Sequence, residues 1–457
     1  MEIAKGNWVG FDTVFYNEIT GKHSLSINEV IDFSNLEIDL EGLAAYLDFG
    51  YCVFGRTPVK YVRYLLPHQV LKEIDSKLQI EDSADDTLTY LGKTTHEDDV
   101  LDLLSKSLDA WTSSFSEDIL VPTSGGFDSR LLNLLVNDKR RIHSYTYGTS
   151  QNQGASREVV YARELARRLG TSWQRVDLGS FNAYQADWFS LFGCSVGAVG
   201  TYHMEFFDKI RTIEGDNKLK MLSGIIGDAW AGAVKVKPID SITDYRTLGH
   251  THQMTADSKR AMDTNYDSLI EPLYDKQKTL LEDPKYRIIT AMRTKMMLLK
   301  SLITIPDYFG FQGYSPFIEE HIALAMLNLP EDRKNNRVWQ RDYFKSNNVL
   351  FEEEKHTYTY QNSLNYYALT KSKLEPINVE VLREVINLDY LHWINNKLQH
   401  INARERIFQT LMHTPKIKGV MKLLGFKNSL IQAYFAYTTL KPIEQLLIKR
   451  NNGIKSS

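Results

Sequence analysis

The segment SGGFDS, Ser124 to Ser129, combines residue types that are suited to holding an anion. Gly125 and Gly126 lack side chains, so their backbone can approach a phosphate closely and their N–H groups can form a concave nest at the start of a helix. Ser124 and Ser129 add hydroxyl donors. Asp128 would repel phosphates unless a cation lay between them, and Mg²⁺ prefers oxygen ligands. The segment therefore indicates a metal-bound nucleotide.

A second glycine-bearing turn occurs farther along the chain, in LSGIIGD at 222–228. Taken alone, SGGFDS could be only a tight turn between a strand and a helix, and Asp228 could be only a helix N-cap. The first segment also differs from a Walker loop, because it has no GK[ST] ending and no lysine to reach the terminal phosphates. The two segments together favour nucleotide binding more strongly than either does alone.

The elements around these turns must bring them to one place. The apolar run ILVPT predicts a strand immediately before Ser124, and strands and helices then alternate, at 119–123, 131–136, 141–148, 156–169 and 220–228. Such alternation predicts an α/β fold with a doubly wound parallel sheet. Ligands of open α/β sheets bind at the carboxyl ends of the strands, which is where SGGFDS lies.

The chain has 457 residues, more than the ~250 to 300 that one core usually spans, so we expect two domains and an extension. Residues 1–85 alternate short β-rich runs with turns and predict a small β-rich domain. An acidic stretch with few apolar residues connects it to a helix at 100–115 and to the ATP-binding domain, predicted at 98–380. After about residue 285 the pattern is mostly helical, and 381–457 form a helical basic extension.

Composition excludes several classes of protein. The chain is 43% hydrophobic and 24% charged with a net charge of -3, which is typical of a soluble globular protein and makes nucleic acid an unlikely partner. Two cysteines are too few for a disulfide scaffold. No apolar run reaches the ~18 residues of a membrane span, and the N-terminus lacks the apolar core of a signal peptide. We therefore expect a cytoplasmic protein.

The C-terminal segment has a distinct charge pattern. From Lys397 onward the sequence contains eleven lysines and arginines but two glutamates. These charged residues alternate with the apolar stretches VMKLLGF, LIQAYFAY and IEQLLI. This pattern predicts an amphipathic basic surface that could contact a membrane or an anionic partner, such as a nucleotide sugar, a lipid-linked glycan or a peptide. A solvated helical face is the simpler interpretation.

The order of the motifs resembles a known family. SGGFDS resembles the PP-loop of the N-type ATP pyrophosphatases. Within that superfamily the chain is most similar to the synthetase domain of asparagine synthetases and their relatives, which include β-lactam synthetases and lasso-peptide cyclases. YTYG at 145–148 and the helix after it resemble the family's second strand and helix, LSGIIGD resembles its SGxGxDE signature, and 314–332 resembles its RxPFLD segment. The resemblance covers roughly residues 30 to 370.

The resemblance implies a PP-loop fold that binds ATP and Mg²⁺, with Ser124, Gly125, Gly126 and Ser129 around the phosphates. By position, Thr123 and Tyr147 would flank the adenine through their backbone, and Ser223 with Gly224 would close the nucleotide pocket. Asp128 and Asp228 would act in catalysis by holding Mg²⁺ and pyrophosphate. Two carboxylates from different strand ends can share a hard cation that neutralises the leaving pyrophosphate.

A catalytic lysine follows the LP pair in this family. Lys355, in FEEEKHTYTYQNS, is the best match by order, although a lysine after three glutamates is more often part of a solvated ion pair. Arg130 could contact phosphate or could only stabilise the helix after the loop. Tyr202, His203 and Glu205 could line the acceptor pocket. In the run NRVWQRDYF, core packing is the better interpretation for Trp339.

The chain also departs from the family pattern. Glu2 stands where glutamine-using members carry a catalytic cysteine, so 1–85 is interpreted as a truncated, inactive glutaminase-like domain. The nitrogen would then come from ammonia, a separate glutaminase or a substrate amine. Ala229 replaces an acidic residue, and Gln312 and Tyr314 replace Glu and Arg. These changes disfavour aspartate as the substrate and favour a larger acceptor.

The sequence therefore predicts an ATP-dependent, AMP-forming amide ligase. Its carboxylate substrate would be a sugar acid, a peptide or another specialised metabolite. Two alternatives remain open at this point. One is a PP-loop enzyme that adenylates an RNA base, although such enzymes have no glutaminase remnant. The other is a catalytically inactive nucleotide-binding scaffold, which would bind ATP without releasing pyrophosphate.

Overall fold

The computed structural model describes residues 1–75, 77–251, 254–414 and 417–456. Its N-terminal part contains two three-stranded antiparallel sheets, with the strand orders β1-β5-β6 and β3-β2-β4. The strands are β1 (Glu2–Lys5), β2 (Phe15–Asn17), β3 (His23–Ser24), β4 (Val62–Tyr64), β5 (Gln69–Ile74) and β6 (Lys77–Asp82), and the helices are α1 (Ile27–Val30) and α2 (Leu40–Phe49).

Helix α2 joins this N-terminal part to the rest of the chain. The Tyr46 hydroxyl donates to the carbonyl of Thr439 at 3.0 Å, and the Tyr51 hydroxyl, just after the helix, donates to the carbonyl of Gly249 at 2.6 Å. The buried apolar residues of the N-terminal part belong to the same core cluster as those of the main sheet. The two parts therefore share one continuous hydrophobic core.

The main sheet has five strands, and every neighbouring pair is parallel. The strands are β7 (Asp118–Pro122), β8 (Ile142–Thr146), β9 (Ser172–Arg175), β10 (Leu219–Leu222) and β11 (Gln312–Tyr314), in the order β11-β10-β7-β8-β9. The chain starts in the middle, adds two strands on one side and then two on the other. The doubly wound parallel sheet expected from the sequence is therefore confirmed.

The helices that accompany the sheet are α3 (Glu97–Ser113), α4 (Phe127–Leu135), α5 (Arg157–Leu169), α6 (Gln185–Phe192), α7 (Thr201–Glu214) and α8 (Gly227–Ala231). The strand order reverses between β7 and β10, so the turns that lead from β7 into α4 and from β10 into α8 lie side by side. A reversal of this kind opens a crevice at the carboxyl edge of a sheet, where ligands of α/β proteins bind.

The second half of the chain is mostly helical, as predicted. Its helices are α9 (Ile242–Thr247), α10 (Ser258–Ala261), α11 (Asp267–Gln277), α12 (Pro284–Leu299), α13 (Ser301–Tyr308), α14 (Glu320–Leu327), α15 (Glu331–Lys334), α16 (Val338–Ser346), α17 (Leu364–Lys371), α18 (Val379–Leu382), α19 (Leu388–Gln399), α20 (Ala403–His413), α21 (Ile417–Leu423) and α22 (Ser429–Ser456). Strand β11 was not expected. Among the described residues, no helix combines the length and apolar character that a membrane crossing needs.

The prediction of a basic surface is wrong for most of the C-terminal segment, because much of α22 is buried in the core. In α22 the stretches LIQAYFAY and IEQLLI supply core residues such as Leu430, Tyr434 and Leu447, each no more than 2% exposed. Lys441 is also buried and pairs with Glu444 at 3.0 Å. Among the described side chains of the three stretches, those of VMKLLGF are the ones that lie largely on the surface, with Val420, Leu423, Leu424 and Phe426 exposed. The apolar side chains of α22 face the core because the helix packs against α19 and α2.

Candidate active site

The predicted phosphate loop lies between β7 and α4. Gly125 has a φ of +66°, a left-handed conformation that glycine adopts without strain. The Ser124 hydroxyl accepts a hydrogen bond from the Gly126 amide at 3.2 Å. The first helical hydrogen bond runs from the Arg130 amide to the Gly126 carbonyl, so the amides of the first turn, 127–129, point toward the carboxyl edge of the sheet. This geometry is suited to an anion.

Steric contact fixes the identity of Gly125. A Cβ atom at this position would lie 2.4 Å from the Cβ of Tyr161 and 2.9 Å from the amide nitrogen of Ala162, both in α5. Neither atom can move without moving the helix. The loop can therefore pack this closely against α5 only with glycine at residue 125.

Asp128 and Asp228 meet at the crevice. They occupy the first turns of α4 and α8, the helices that follow the adjacent strands β7 and β10. A Cβ atom on Gly224 would lie 3.1 Å from the Cβ of Asp128, and one on Gly227 would lie 3.0 Å from its carboxyl carbon. The turn before Asp228 thus packs directly on Asp128. The expectation that two separate loops bring these acids together agrees with this geometry.

The surroundings of Asp128 favour its protonated form. Burial and the nearby charge of Asp228 raise its pKa to about 7, while the charge of Arg337 acts in the opposite direction. The Asp128 Oδ1 atom is buried without a hydrogen-bond partner, as are both polar atoms of the fully buried Gln340 amide. Buried polar atoms without partners are rare, and a ligand commonly accounts for them.

These donors fit a magnesium ion. Mg²⁺ is commonly held by one or two carboxylates, with phosphate oxygens and water completing its shell. Asp128 contributes a buried, unpaired carboxylate oxygen, and Asp228 contributes an exposed carboxylate beside it. No group of three or more His, Cys, Asp or Glu that could hold a metal occurs within the described ranges. The two carboxylates fit a site that substrate phosphates and water would complete.

Replacing Asp128 by Asn should change how stability depends on pH. The folded pKa of about 7 lies above the ordinary aspartate pKa of 3.8, so Asp128 contributes stability that is fully present below about pH 4 and is lost as the pH rises through 7. In metal-free buffer, the stability of D128N relative to the wild type should therefore increase by on the order of 2–3 kcal/mol when the pH is raised from 5 to 8. Urea unfolding at the two pH values measures the gain. The exposed control D263N should show no such trend, and a constant difference for D128N would contradict the assignment.

Arg130 stabilises the phosphate loop through contacts with a neighbouring segment of the chain. Its guanidinium is fully buried and donates to the Gly125 carbonyl at 2.6 Å, to the Val349 carbonyl at 2.9 Å and to both carboxylate oxygens of Glu352 at 3.0 Å. The ring of Phe351 lies 4.5 Å from the guanidinium carbon. Arg130 therefore connects the loop to the segment after α16. In this arrangement both terminal nitrogens of the guanidinium bond to protein groups and Nε is buried without a partner, which fits the predicted stabilising role better than a phosphate contact.

Replacing Arg130 by Met should lower the free energy of unfolding by about 3–5 kcal/mol, because it leaves a half-buried carboxylate and two buried carbonyls without their donor. Urea unfolding measures the change. The control R140M removes an arginine that is 89% exposed and pairs only with neighbouring Asp138, so its effect should stay within about 0.5 kcal/mol. A loss below about 1 kcal/mol for R130M would show that the buried contacts are not required.

The residues predicted to flank the adenine or to line the nucleotide pocket differ in their exposure and in whether their polar groups already have partners. The Thr123 amide donates to the Tyr145 carbonyl at 2.9 Å and its carbonyl accepts from the Thr146 hydroxyl, so its backbone groups already have partners. Ser223 donates its amide to the Tyr314 carbonyl at 2.8 Å. Ser129 is buried, and its hydroxyl donates to the Gly126 carbonyl at 3.3 Å. Among these positions Ser124 is the exposed one.

An aromatic cluster stands beside the loop at the end of β8. The Tyr147 hydroxyl lies 3.3 Å from Nε2 of His203, and the Tyr147 ring packs on Tyr202 and Phe206 at centroid distances of 5.8 and 5.1 Å. Burial lowers the pKa of His203 to about 3, so this ring is neutral at physiological pH. Tyr202 and His203 thus remain candidates for lining a pocket.

The contacts of Glu205 do not support the hypothesis that its side chain lines the acceptor pocket. Its carboxylate is buried and accepts hydrogen bonds from the backbone amides of Gly179 and Ser180, both at 2.9 Å, and from Lys209 at 2.7 Å. These partners occupy the carboxylate. Glu205 therefore connects α7 to the segment after β9.

Lys355 lies on the surface within a segment that runs beside the loop. That segment starts at Phe351 and Glu352, which contact Arg130, and its Thr359 pairs with the turn before α5. Within the described residues, Lys355 has no hydrogen bond, ion pair or ring contact. Its side chain is therefore unconstrained, and its predicted catalytic role stays a prediction.

Lys295 of α12 is a lysine that sequence reasoning missed. Burial lowers its pKa, and the charge of Asp228 partly opposes this effect, so the ammonium lies within the electrostatic range of the acidic pair. No hydrogen bond or ion pair of Lys295 occurs among the described residues. Its place in the chain, far from both glycine turns, gave no signal. A half-buried lysine within the electrostatic range of Asp228 is a candidate for binding phosphate.

Arg337 and Gln340 were also missed, although they lie within the NRVWQRDYF segment. Arg337 has a φ of +55°, and its guanidinium carbon stands 4.0 Å from the Phe127 ring, next to Asp128. Trp339 is buried and donates to the Ala231 carbonyl at 3.2 Å, as expected of a core residue. Arg341 lies 3.9 Å from Glu353 and forms only a loose surface pair.

The substitutions at 312 and 314 do not border the acidic pair. Gln312 accepts from Lys220, and the Tyr314 ring stacks on Trp111 of α3 at 4.9 Å while its hydroxyl donates to Glu319. The Gln312 contact joins β11 to β10, and the Tyr314 contacts join β11 to α3 and to the residue that precedes α14. The interpretation of Gln312 and Tyr314 as substrate-reading positions is therefore not supported by their surroundings, and their replacement is explained by packing. Ala229 is fully buried in α8, where an acidic side chain would lack water.

Comparisons with known proteins identify no family. No protein-family profile matches the chain, and no curated protein resembles it. Similar solved structures include an NH₃-dependent NAD synthetase from Campylobacter jejuni, with 11% identity over 44% of this chain and 94% of that one and a TM-score of 0.25. A glutamine-dependent NAD⁺ synthetase from Acinetobacter baumannii has 16% identity over 51% and 42%, with a TM-score of 0.24. An NMN synthetase from Francisella tularensis has 13% identity over 55% and 95%, with a TM-score of 0.22. Similarities this weak assign neither a family nor an activity, so the likeness to asparagine synthetases depends on the sequence motifs.

Proposed function

We propose that this protein is an ATP-dependent, AMP-forming ligase that adenylates a carboxylate and passes the acyl group to ammonia or an amine. One observation carries the proposal: Asp128 and Asp228 converge where the strand order reverses, in front of a glycine turn that leads into a helix, and one buried oxygen of Asp128 has no partner. Such an arrangement suits a cation shared between protein carboxylates and a polyphosphate.

In this proposal the groups of the chain act mainly by position and charge. The first-turn amides of α4 donate to the β- and γ-phosphates, and Arg337 adds positive charge on the same side. Asp128 and Asp228 would hold Mg²⁺, and the ion would supply positive charge to neutralise the leaving pyrophosphate. The α-phosphate is thereby oriented toward the attacking carboxylate, so that positioning accounts for much of the rate.

The nucleoside and the acceptor would lie on the β8 side of the loop. Tyr147 directly follows β8, and with Tyr202 and His203 it offers aromatic surface and a neutral imidazole on the side of the phosphate site toward β8. Such surroundings suit a planar base or a sugar better than a small zwitterion with two charges. This supports a carboxylate on a sugar or a peptide as the substrate class, with the nitrogen supplied as ammonia or as a substrate amine.

Two lysines are candidates for stabilising the negative charge that develops during the reaction. We expect Lys295→Met to lower the rate of pyrophosphate release by about a hundredfold, because the half-buried ammonium lies within the electrostatic range of Asp228. Lys355→Ala should have the smaller effect, about tenfold or less, because its exposed side chain is free to move. Steady-state kinetics of both variants measure the order. A larger loss for K355A than for K295M would return the role to Lys355.

Product analysis tests the proposed function. The purified protein is incubated with Mg²⁺ and ATP labelled at the α- or the γ-phosphate, together with ammonium and a panel of sugar acids and peptides. AMP and pyrophosphate, formed only when an acid is present, support the proposal. ADP and inorganic phosphate would contradict it. ATP binding without any cleavage across the panel would favour the inactive scaffold, and cleavage stimulated only by RNA would favour the RNA-modifying alternative.

A further inference from the structure

An apolar and basic projection lies far from the candidate active site in sequence. It consists of α20, α21 and the turn into α22, whose described residues are 403–414 and 417–427, and is called the C-terminal hairpin below. Leu423 is 88% exposed, Leu424 67% and Val420 57%, and Ile407, Ile417 and Phe426 are also exposed. Large apolar side chains this exposed and this close together mark a contact surface.

The charges of the C-terminal hairpin have one dominant sign. Its sequence contains six lysines and arginines and a single acid, Glu405. Among the described side chains, Arg404, Arg406, Lys418 and Lys427 are exposed. Glu405 is half-buried and accepts a hydrogen bond from Gln409 at 2.8 Å, so it offsets little of this charge at the surface. Basic residues therefore surround the apolar side chains.

The base of the hairpin is attached to the body of the protein. The side-chain amides of Gln409 and Asn428 exchange two hydrogen bonds, at 2.7 and 2.8 Å, and Asn428 also caps the start of α22. Met412, near the end of α20, is buried. The apolar tip at Leu423 and Leu424 thus projects from a fixed support.

We propose that the C-terminal hairpin docks the protein on the surface of an anionic lipid bilayer. Apolar side chains that project from a basic surface can enter the boundary between headgroups and acyl chains while the cations contact anionic headgroups. A groove for a peptide would need a concave apolar floor, whereas these leucines project outward. The proposal does not depend on the ligase function, and the protein would lie on the membrane without crossing it.

Co-sedimentation of the full chain with vesicles tests this docking. Wild-type protein should bind phosphatidylcholine vesicles that contain phosphatidylglycerol at least about tenfold more strongly than vesicles without it, and added salt should weaken the binding. The variant L423D/L424D should lose binding about tenfold or more. The variant K418E/K427E should lose the preference for anionic lipid. Because all four side chains are exposed, both variants should keep the thermal midpoint of the wild type.

Matched controls separate the hairpin from general surface effects. I19D/L25D places the same charges at two exposed apolar positions in the N-terminal part, and K5E/K22E reverses two exposed lysines there. Both should bind vesicles like the wild type. Wild-type protein that does not bind anionic vesicles would overturn the proposal, as would unchanged binding by L423D/L424D. A change of oligomeric state without vesicle binding would show instead that the hairpin is an interface between two copies of the chain.

Discussion

Asp128→Asn should lower the rate of pyrophosphate release from ATP by about a thousandfold, and Asp228→Asn should do the same. In the proposed mechanism each carboxylate would contribute ligand charge to one cation, so removal of either would weaken the same interaction with the departing phosphates. The double variant should therefore be little worse than either single variant, because residues that act as a unit are not additive. Steady-state kinetics with a coupled pyrophosphate assay measure all three proteins.

Asp118→Asn is the matched control for this series. Asp118 begins β7 at the opposite edge of the sheet, where its carboxylate lies 3.3 Å from Nε2 of His143. Its replacement should leave the rate within about twofold of the wild type, since surface pairs contribute little. More than a tenth of wild-type activity in D128N, with D118N unaffected, would exclude Asp128 from the reaction.

Gly125→Ala should weaken ATP binding by about a hundredfold, which corresponds to about 2.7 kcal/mol. The methyl group would meet the Cβ of Tyr161 at 2.4 Å and the α5 backbone at 2.9 Å, so the loop must move away from its position over α5. The left-handed φ of +66° adds strain for any residue with a side chain. Isothermal titration with ATP and Mg²⁺ measures the loss.

Gly170→Ala separates conformational strain from the steric clash. Gly170 has nearly the same φ, +69°, but no atom lies within 4 Å of its added Cβ. This variant should lose about 1 kcal/mol of stability and keep its affinity for ATP. Equal ATP affinities for G125A and G170A would show that the close packing of the loop on α5 is not needed for nucleotide binding.

The parallel sheet and the loop could be predicted because their signals are local. The buried strand before Ser124 and the glycine pair after it are adjacent in sequence, and the strand before LSGIIGD repeats the pattern. Since the carboxyl ends of parallel strands share one edge, Asp128 and Asp228 were expected to meet there. The start of α4 was placed too late, at 131, because Gly126 already serves as its N-cap.

The rest of the site is formed by long-range packing, which leaves no pattern in a single sequence. Lys295, Arg337 and Gln340 reach the acidic pair from helices that follow the main strands by many residues. Gln312 and Tyr314 were assigned to the substrate by motif position, but β11 presents them to Lys220 and to α3. The same limit applies to α22, whose apolar residues were read as a surface because the helices that cover them lie far away in sequence.

Titration of the protein with Mn²⁺ in the presence of ATP, followed by electron paramagnetic resonance, tests the shared cation site most directly. The account predicts that the wild type binds Mn²⁺ together with ATP, and that D128N and D228N each weaken this binding by at least about tenfold while D118N does not. Equal Mn²⁺ affinity in the wild type and both site variants would contradict it.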